Sequence, residues 1–154
     1  MADLLLDTHS LVFFLERSPE LSVRARQAIR TALDAHDRVI VSVVSLVEIV
    51  YLAEKRRIST TARDRILDAL FNQNTGIDVI GFDPEMLASL QTIPRQQVPD
   101  MPDRMISATA AHLAIPLVTR DAAHPQRQHP NDLVIHRNSI AIRREGGCGG
   151  GVRR

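Results

Sequence analysis

The 154-residue chain has one cysteine, one lysine, one tyrosine and no tryptophan, and each scarcity excludes something. A lone cysteine, Cys148 in the stretch GGCGGG, closes no internal disulfide, so the fold is not stapled and suits a reducing compartment. With Lys55 the only lysine, nearly all positive charge is arginine, whose planar fork suits phosphate and carboxylate partners better than a point ammonium does. Neither sign of charge dominates: 19 basic against 18 acidic residues leave a net charge of +1, so any contact with nucleic acid must be local. Long hydrophobic runs are missing too. The most apolar window, VIVSVVSLVEIVYLA at 39–53, is shorter than a membrane span and carries Glu48. The opening MADLLLDTHS begins with an acid and lacks the basic start of a signal peptide. A soluble, cytoplasmic protein without a membrane partner is expected.

What is present fits one domain with a real core: 44% of the residues are hydrophobic, and the length is too short for two comfortable domains. Short apolar runs at 4–6 (LLL), 38–44 (RVIVSVV), 77–82 (IDVIGF) and 115–119 (IPLVT) have the character of strands buried on both faces. Helical patterns lie between them. SVRARQAIRTALDAH offers Ser22 as a cap, TTARDRILDALF places Ile66, Leu67, Leu70 and Phe71 on a stripe, and DPEMLASL offers Asp83 as N-cap with Pro84 at the first helical position. The alternation predicts an α/β domain with a mostly parallel central sheet flanked by helices. LVIH at 133–136 and SIAIR beyond it are weaker strand signals. The domain is expected to span residues 1–143, followed by a flexible Gly/Arg-rich tail at 144–154.

Four acids stand out against this core. In open α/β sheets, ligands bind beyond the carboxyl ends of the strands; Asp7 directly follows the first strand and Asp121 lies two residues beyond the fourth. Glu48 follows the second strand in a helix that Ser45 would open, and Asp103 starts the helix DRMISATAAHLA. Each acid has an ordinary structural explanation. Ser45 to Glu48 fits an S-x-x-E capping box, Asp100 fits an N-cap with Asp103 at the third helical position, and Asp7 and Asp121 fit turns. Taken together they point elsewhere, because carboxylates in apolar settings repel one another unless protons or cations compensate. A hard divalent ion, Mg²⁺ or Mn²⁺, is the economical compensation.

Three segments, LLLDTHSLVFFL, VSVVSLVEIVYLAEKRRI and DMPDRMISATAAHLAIPLVTRD, resemble the motif regions of PIN-domain proteins, and most nearly the VapC-type toxins of toxin–antitoxin pairs. The resemblance covers residues 3 to about 136. Its most specific piece is D-x-x-D-R-x-I-x-A-T-A followed by L-V-T-x-D. It implies a single PIN-like domain acting as a Mg²⁺- or Mn²⁺-dependent endoribonuclease, with Asp7, Glu48, Asp103 and Asp121 as catalytic, metal-binding carboxylates. Asp100, Thr8 and Thr119 match accessory polar residues of the same pocket. Val47 stands where relatives often carry a tryptophan. The resemblance also implies an RNA substrate, a VapB-type antitoxin and a homodimer; LVFFL at 11–15 and IVYLAEKRRI at 49–58 are compatible with an interface. Arg104 and Arg120, each beside a candidate ligand, are the foremost candidates for phosphate contact, ahead of Arg24, Arg26, Arg30, Lys55, Arg56 and Arg57. Whether one or two ions bind, and whether Glu48 and Asp121 hold an ion or orient water, stays open.

Other chemistries fit less well. The histidines lack zinc spacing, His124 and His129 included, and no glycine-rich phosphate loop follows a strand. An aspartyl-phosphate enzyme with Asp7 as nucleophile lacks a second acid two positions on. The remaining alternative is a non-catalytic α/β protein-binding module with a structural divalent-ion site.

Overall fold

The fold is built around three leucines. In the computed structural model, which describes residues 3–72, 75–119 and 134–136, β1 (Leu4–Leu6) lies between β2 (Val39–Ser42) and β4 (Leu117–Thr119) and is parallel to both. Successive strand residues point to opposite faces. Leu4, Leu6, Val39, Val41 and Val118 therefore enter one core, while Leu5, Ile40 and Leu117 enter the other. With both faces covered, β1 is apolar throughout and β2 and β4 are apolar up to Ser42 and Thr119 at their carboxyl ends, which is why they lack polar alternation.

Strand β3 (Ile77–Ile80) extends the sheet beyond β2 in parallel, and β5 (Val134–His136) closes the far side antiparallel to β4. The order is β3-β2-β1-β4-β5. The chain thus runs outward from β1 through β2 to β3, then returns to β4 on the other side of β1. Mostly parallel pairing and flanking helices agree with the sequence expectation. SIAIR and the tail at 144–154, with Cys148, lie outside the described residues.

Six helices complete the described part: α1 (Thr8–Leu15), α2 (Val23–Asp34), α3 (Val43–Glu54), α4 (Thr60–Phe71), α5 (Met86–Thr92) and α6 (Met101–Leu113). Ser22 caps α2 as expected, its hydroxyl accepting from the Ala25 N–H, and Ser59 caps α4 in the same way. Two helix starts differ from expectation. Helix α3 begins at Val43 without an intervening loop, and Ser42 is its cap, accepting from the Val44 N–H at 3.2 Å. Ser45 is therefore inside the helix and Glu48 lies beyond its first turn, so no Ser45–Glu48 capping box forms. Helix α5 starts at Met86, after a turn in which the Asp83 carbonyl accepts from the Met86 N–H, and its N-cap, Glu85, makes no side-chain capping bond. On α4, Ile66 and Leu70 are buried, but Phe71 at the end of the expected stripe is exposed.

The ends of α1, α2 and α3 share one geometry. Arg17, His36 and Arg56 take positive φ, and paired backbone bonds close each end, as in Arg17 N–H to Phe14 O and Ser18 N–H to Phe13 O. This is the Schellman arrangement, here without its usual glycine. At the edge of the sheet, β3 pairs with β2 alone among the described strands. Its Asp78 is exposed and forms an ion pair with Arg38 at 3.2 Å.

Candidate active site at the carboxyl end of the sheet

The parallel neighbours β1 and β4 flank the point where the strand order reverses, and in open α/β sheets the crevice at the carboxyl ends of such a pair is where ligands bind. Asp7 stands there. Its backbone N–H donates to Val118 O at 3.0 Å, and its side chain caps α1, Oδ1 accepting from the Ser10 N–H at 2.7 Å. The residue is only 7% exposed. The register pairs Leu6 with Val118, so buried Thr119 comes level with Asp7 on the neighbouring strand.

Thr8, the first residue of α1, is buried and points to α3. Its hydroxyl donates to Glu48 Oε2 at 2.5 Å, a charge-assisted bond across 40 residues of sequence. Glu48 is half-buried, and this bond fixes which way its carboxylate faces. Helix α6 packs against α3 and leads directly into β4, so its first turn lies toward the same end of the sheet. That turn carries half-buried Asp103 at the third helical position, as expected, while exposed Asp100 holds the N-cap position without a side-chain capping bond.

A family model described as the PIN domain matches residues 4–129. The chain belongs to the PIN-domain family. It is 30% identical over 135 residues to Ribonuclease VapC22 of Mycobacterium tuberculosis, a match covering 88% of this chain and 99% of that protein. Solved structures share the fold. The VapBC2 complex of Rickettsia felis bound to a promoter DNA fragment superposes with a TM-score of 0.57 at 14% identity, covering 77% of this chain and 88% of the other. A toxin–antitoxin complex from Klebsiella pneumoniae gives 0.52 at 23% identity, covering 79% and 87%.

Within this PIN domain the expected site residues fall into three groups. Asp7, Thr8, Glu48 and Thr119 gather at or beside the β1–β4 crevice; Asp103 and Asp100 occupy the start of α6; Asp121 lies outside the described residues, as does Arg120. Among the described residues, no three Asp, Glu, His or Cys side chains form a group that would hold a metal ion. The donor types nonetheless suit a hard cation: carboxylates and hydroxyls, with no thiol or imidazole among them.

A further observation concerns the surroundings. Three buried side-chain polar atoms lack a hydrogen-bond partner among the described residues: Ser10 Oγ, Ser45 Oγ and Arg104 Nε. Each is within three residues of Asp7, Glu48 or Asp103. Polar groups are rarely buried unsatisfied without a reason such as water, an ion or catalysis; the two hydroxyls, each three residues from Asp7 or Glu48, suit a hydrated cation, whereas Arg104 Nε is a cationic donor and does not.

Arg104 corrects an expectation. Its Nη2 donates to the carbonyls of Leu90 at 3.2 Å and Ile93 at 2.9 Å, closing the end of α5. The guanidinium is committed to holding α5 on α6, which removes it as the foremost phosphate contact. Exposed Arg24, Arg30, Lys55, Arg56 and Arg57 remain available at the surface, whereas Arg26 donates to the Ser18 carbonyl at 2.6 Å.

Proposed function

We propose that this PIN-domain protein is an endoribonuclease and the toxin of a VapBC-type pair, with Mg²⁺ or Mn²⁺ held by Asp7, Glu48, Asp103 and Asp121. The observation carrying the reading is the placement of buried Asp7 at the β1–β4 crevice, beside a Glu48 whose carboxylate is aimed by Thr8. The 30% identity to a ribonuclease over nearly all of both chains supports the chemistry.

A divalent ion held by these carboxylates would lower the pKa of a bound water and offset negative charge on the scissile phosphate. The chain's own residues do the rest. Asp7 is held rigid by the Ser10 N–H, Thr8 orients Glu48, and the start of α6 presents Asp103 where the helix dipole favours negative charge. Thr119 lines the crevice floor and Asp100 stands at the start of α6, while Asp121 completes the proposed ligand set by its place in the sequence motif. Exposed arginines draw the RNA backbone toward the site.

The partners follow the relatives. A VapB-type antitoxin covers the crevice, and the protein works as a homodimer in the cytoplasm, where its single cysteine stays reduced. Helix α3 supports the dimer: Val43, Val47 and Tyr51, at i, i+4 and i+8, are 40%, 52% and 56% exposed and form one outward apolar stripe.

The test is cleavage of a mixed cellular RNA pool by antitoxin-free protein with Mg²⁺ or Mn²⁺, with chelator, and by Asp103→Asn. Metal-dependent cleavage that falls about 100-fold or more in the variant is expected, in the range seen when groups acting on the transition state are removed. Equal inertness of both folded proteins in every metal would sink the nuclease reading and favour a binding module.

A further inference from the structure

The S-x-x-E pattern at Ser45 and Glu48 leaves a hydroxyl unexplained. Ser42 takes the capping role that the pattern suggests for Ser45, and the Ser45 side chain is 0% exposed with its Oγ lacking a partner among the described residues. Alanine would fill nearly the same volume without the cost of burying an unpaired hydroxyl. Packing therefore does not account for serine.

Its position is defined by its neighbours. Successive helix residues are about 100° apart around the axis. Leu46 packs in the core on one face of the sheet and Val44 against the core on the other. Helix α3 thus straddles the carboxyl end of the sheet, and Ser45, between those two residues, faces the strand ends. Glu48 is three positions on, a neighbour on the same side of the helix. Helical side chains lean toward the N-terminus, which carries the Glu48 carboxylate back over the turn that holds Ser45. Thr8 donates a hydrogen bond to that carboxylate.

From this we infer that the Ser45 hydroxyl is part of the cation site, hydrogen-bonding a water in the shell of the divalent ion held beside Asp7 and Glu48. The inference rests on the metal-dependent reading above and adds a residue to it. Small hard cations keep several waters when they bind protein carboxylates, and those waters need acceptors and donors in the wall. Ser45 supplies one from a position where no carboxylate is needed. It is a positioning residue, acting through the water and not on the phosphodiester.

The experiment is calorimetric titration of Mn²⁺ into full-length, antitoxin-free, chelator-stripped protein, comparing wild type, Asp7→Asn, Ser45→Ala and Ser45→Cys, with the metal-free thermal midpoint of each. Loss of an outer contact to a metal site typically weakens affinity about 10- to 100-fold. Both Ser45 variants are expected to raise the Mn²⁺ dissociation constant about tenfold or more, with metal-free midpoints equal to or above wild type because an unsatisfied hydroxyl has been removed. Unchanged affinity in the Ser45 variants, with Asp7→Asn impaired, overturns this inference and leaves the cation site standing. If affinity falls only in step with the metal-free midpoint, Ser45 is a packing residue and the inference is overturned. Wild type that binds no Mn²⁺, or Asp7→Asn that binds it equally well, overturns the cation reading and the inference with it.

Discussion

At the residue scale, Thr8 and Arg104 show how far neighbouring positions in sequence differ in role. Both adjoin a carboxylate named from the sequence, yet Thr8 turns toward the crevice and Arg104 turns away to bind the carbonyls of Leu90 and Ile93. Adjacency to an acid told nothing about direction, because residues one apart on a helix point about 100° from each other. Arg104→Ala is expected to destabilise the protein by about 2 kcal/mol, since two part-buried carbonyls lose a charged donor. Urea unfolding measures this. The salt dependence of RNA binding should stay unchanged in the same variant, whereas loss of a phosphate contact would lower the slope by about one. The acids themselves were legible individually: Asp7 directly after an apolar strand, and Asp103 at the third position of a helix. Their mutual distances were not, because these depend on how α3 and α6 pack.

At the element scale, strands and helices were legible where periodicity was strong and capping serines stood alone. Ser22 precedes one clear helical pattern and caps it as expected, and Ser59, not singled out from the sequence, caps α4 in the same way. The junction of β2 and α3 was harder. VSVVSLVEIVYLA is apolar enough for either strand or helix, and two serines three residues apart offered two starts. The passage from strand to helix without a loop selected Ser42. Helix ends were silent for another reason: α1, α2, α3 and α6 finish without glycine, with Arg17, His36, Arg56 and Ala114 at φ values of 54–58°. A side chain in this region costs about 1–2 kcal/mol per residue. Ala114→Gly is therefore expected to raise stability by roughly 0.5–1 kcal/mol, read as a higher urea midpoint with unchanged slope. A fall in the midpoint would mean that unfolded-state freedom of glycine outweighs relief of strain.

At the scale of the whole molecule, alternation of apolar runs with amphipathic helices was enough for a mostly parallel sheet. Strand order was beyond it, since composition does not say that β4 returns beside β1. That return creates the crevice, and with it the reason for a buried acid after the first strand. Assembly belongs to this scale as well. Val47→Asp, in the middle of the exposed α3 stripe, is expected to convert a dimer to a monomer in analytical ultracentrifugation while leaving the circular dichroism spectrum unchanged. A dimer that survives the substitution places the interface on another face.

The Arg38–Asp78 pair at the edge of the sheet has a consequence for solubility. Strand β3 is IDVI, and Asp78 is its one charged residue; Asp78→Val would leave IVVI, a short, uncharged, β-branched edge of the kind that recruits strands from other chains. The exposed aspartate thus acts as a gatekeeper against aggregation. The variant is expected to fold and then develop turbidity on standing at concentrations where wild type stays clear, and light scattering over time is the measurement. Persistent clarity would mean that the sheet edge is shielded by something other than its charge.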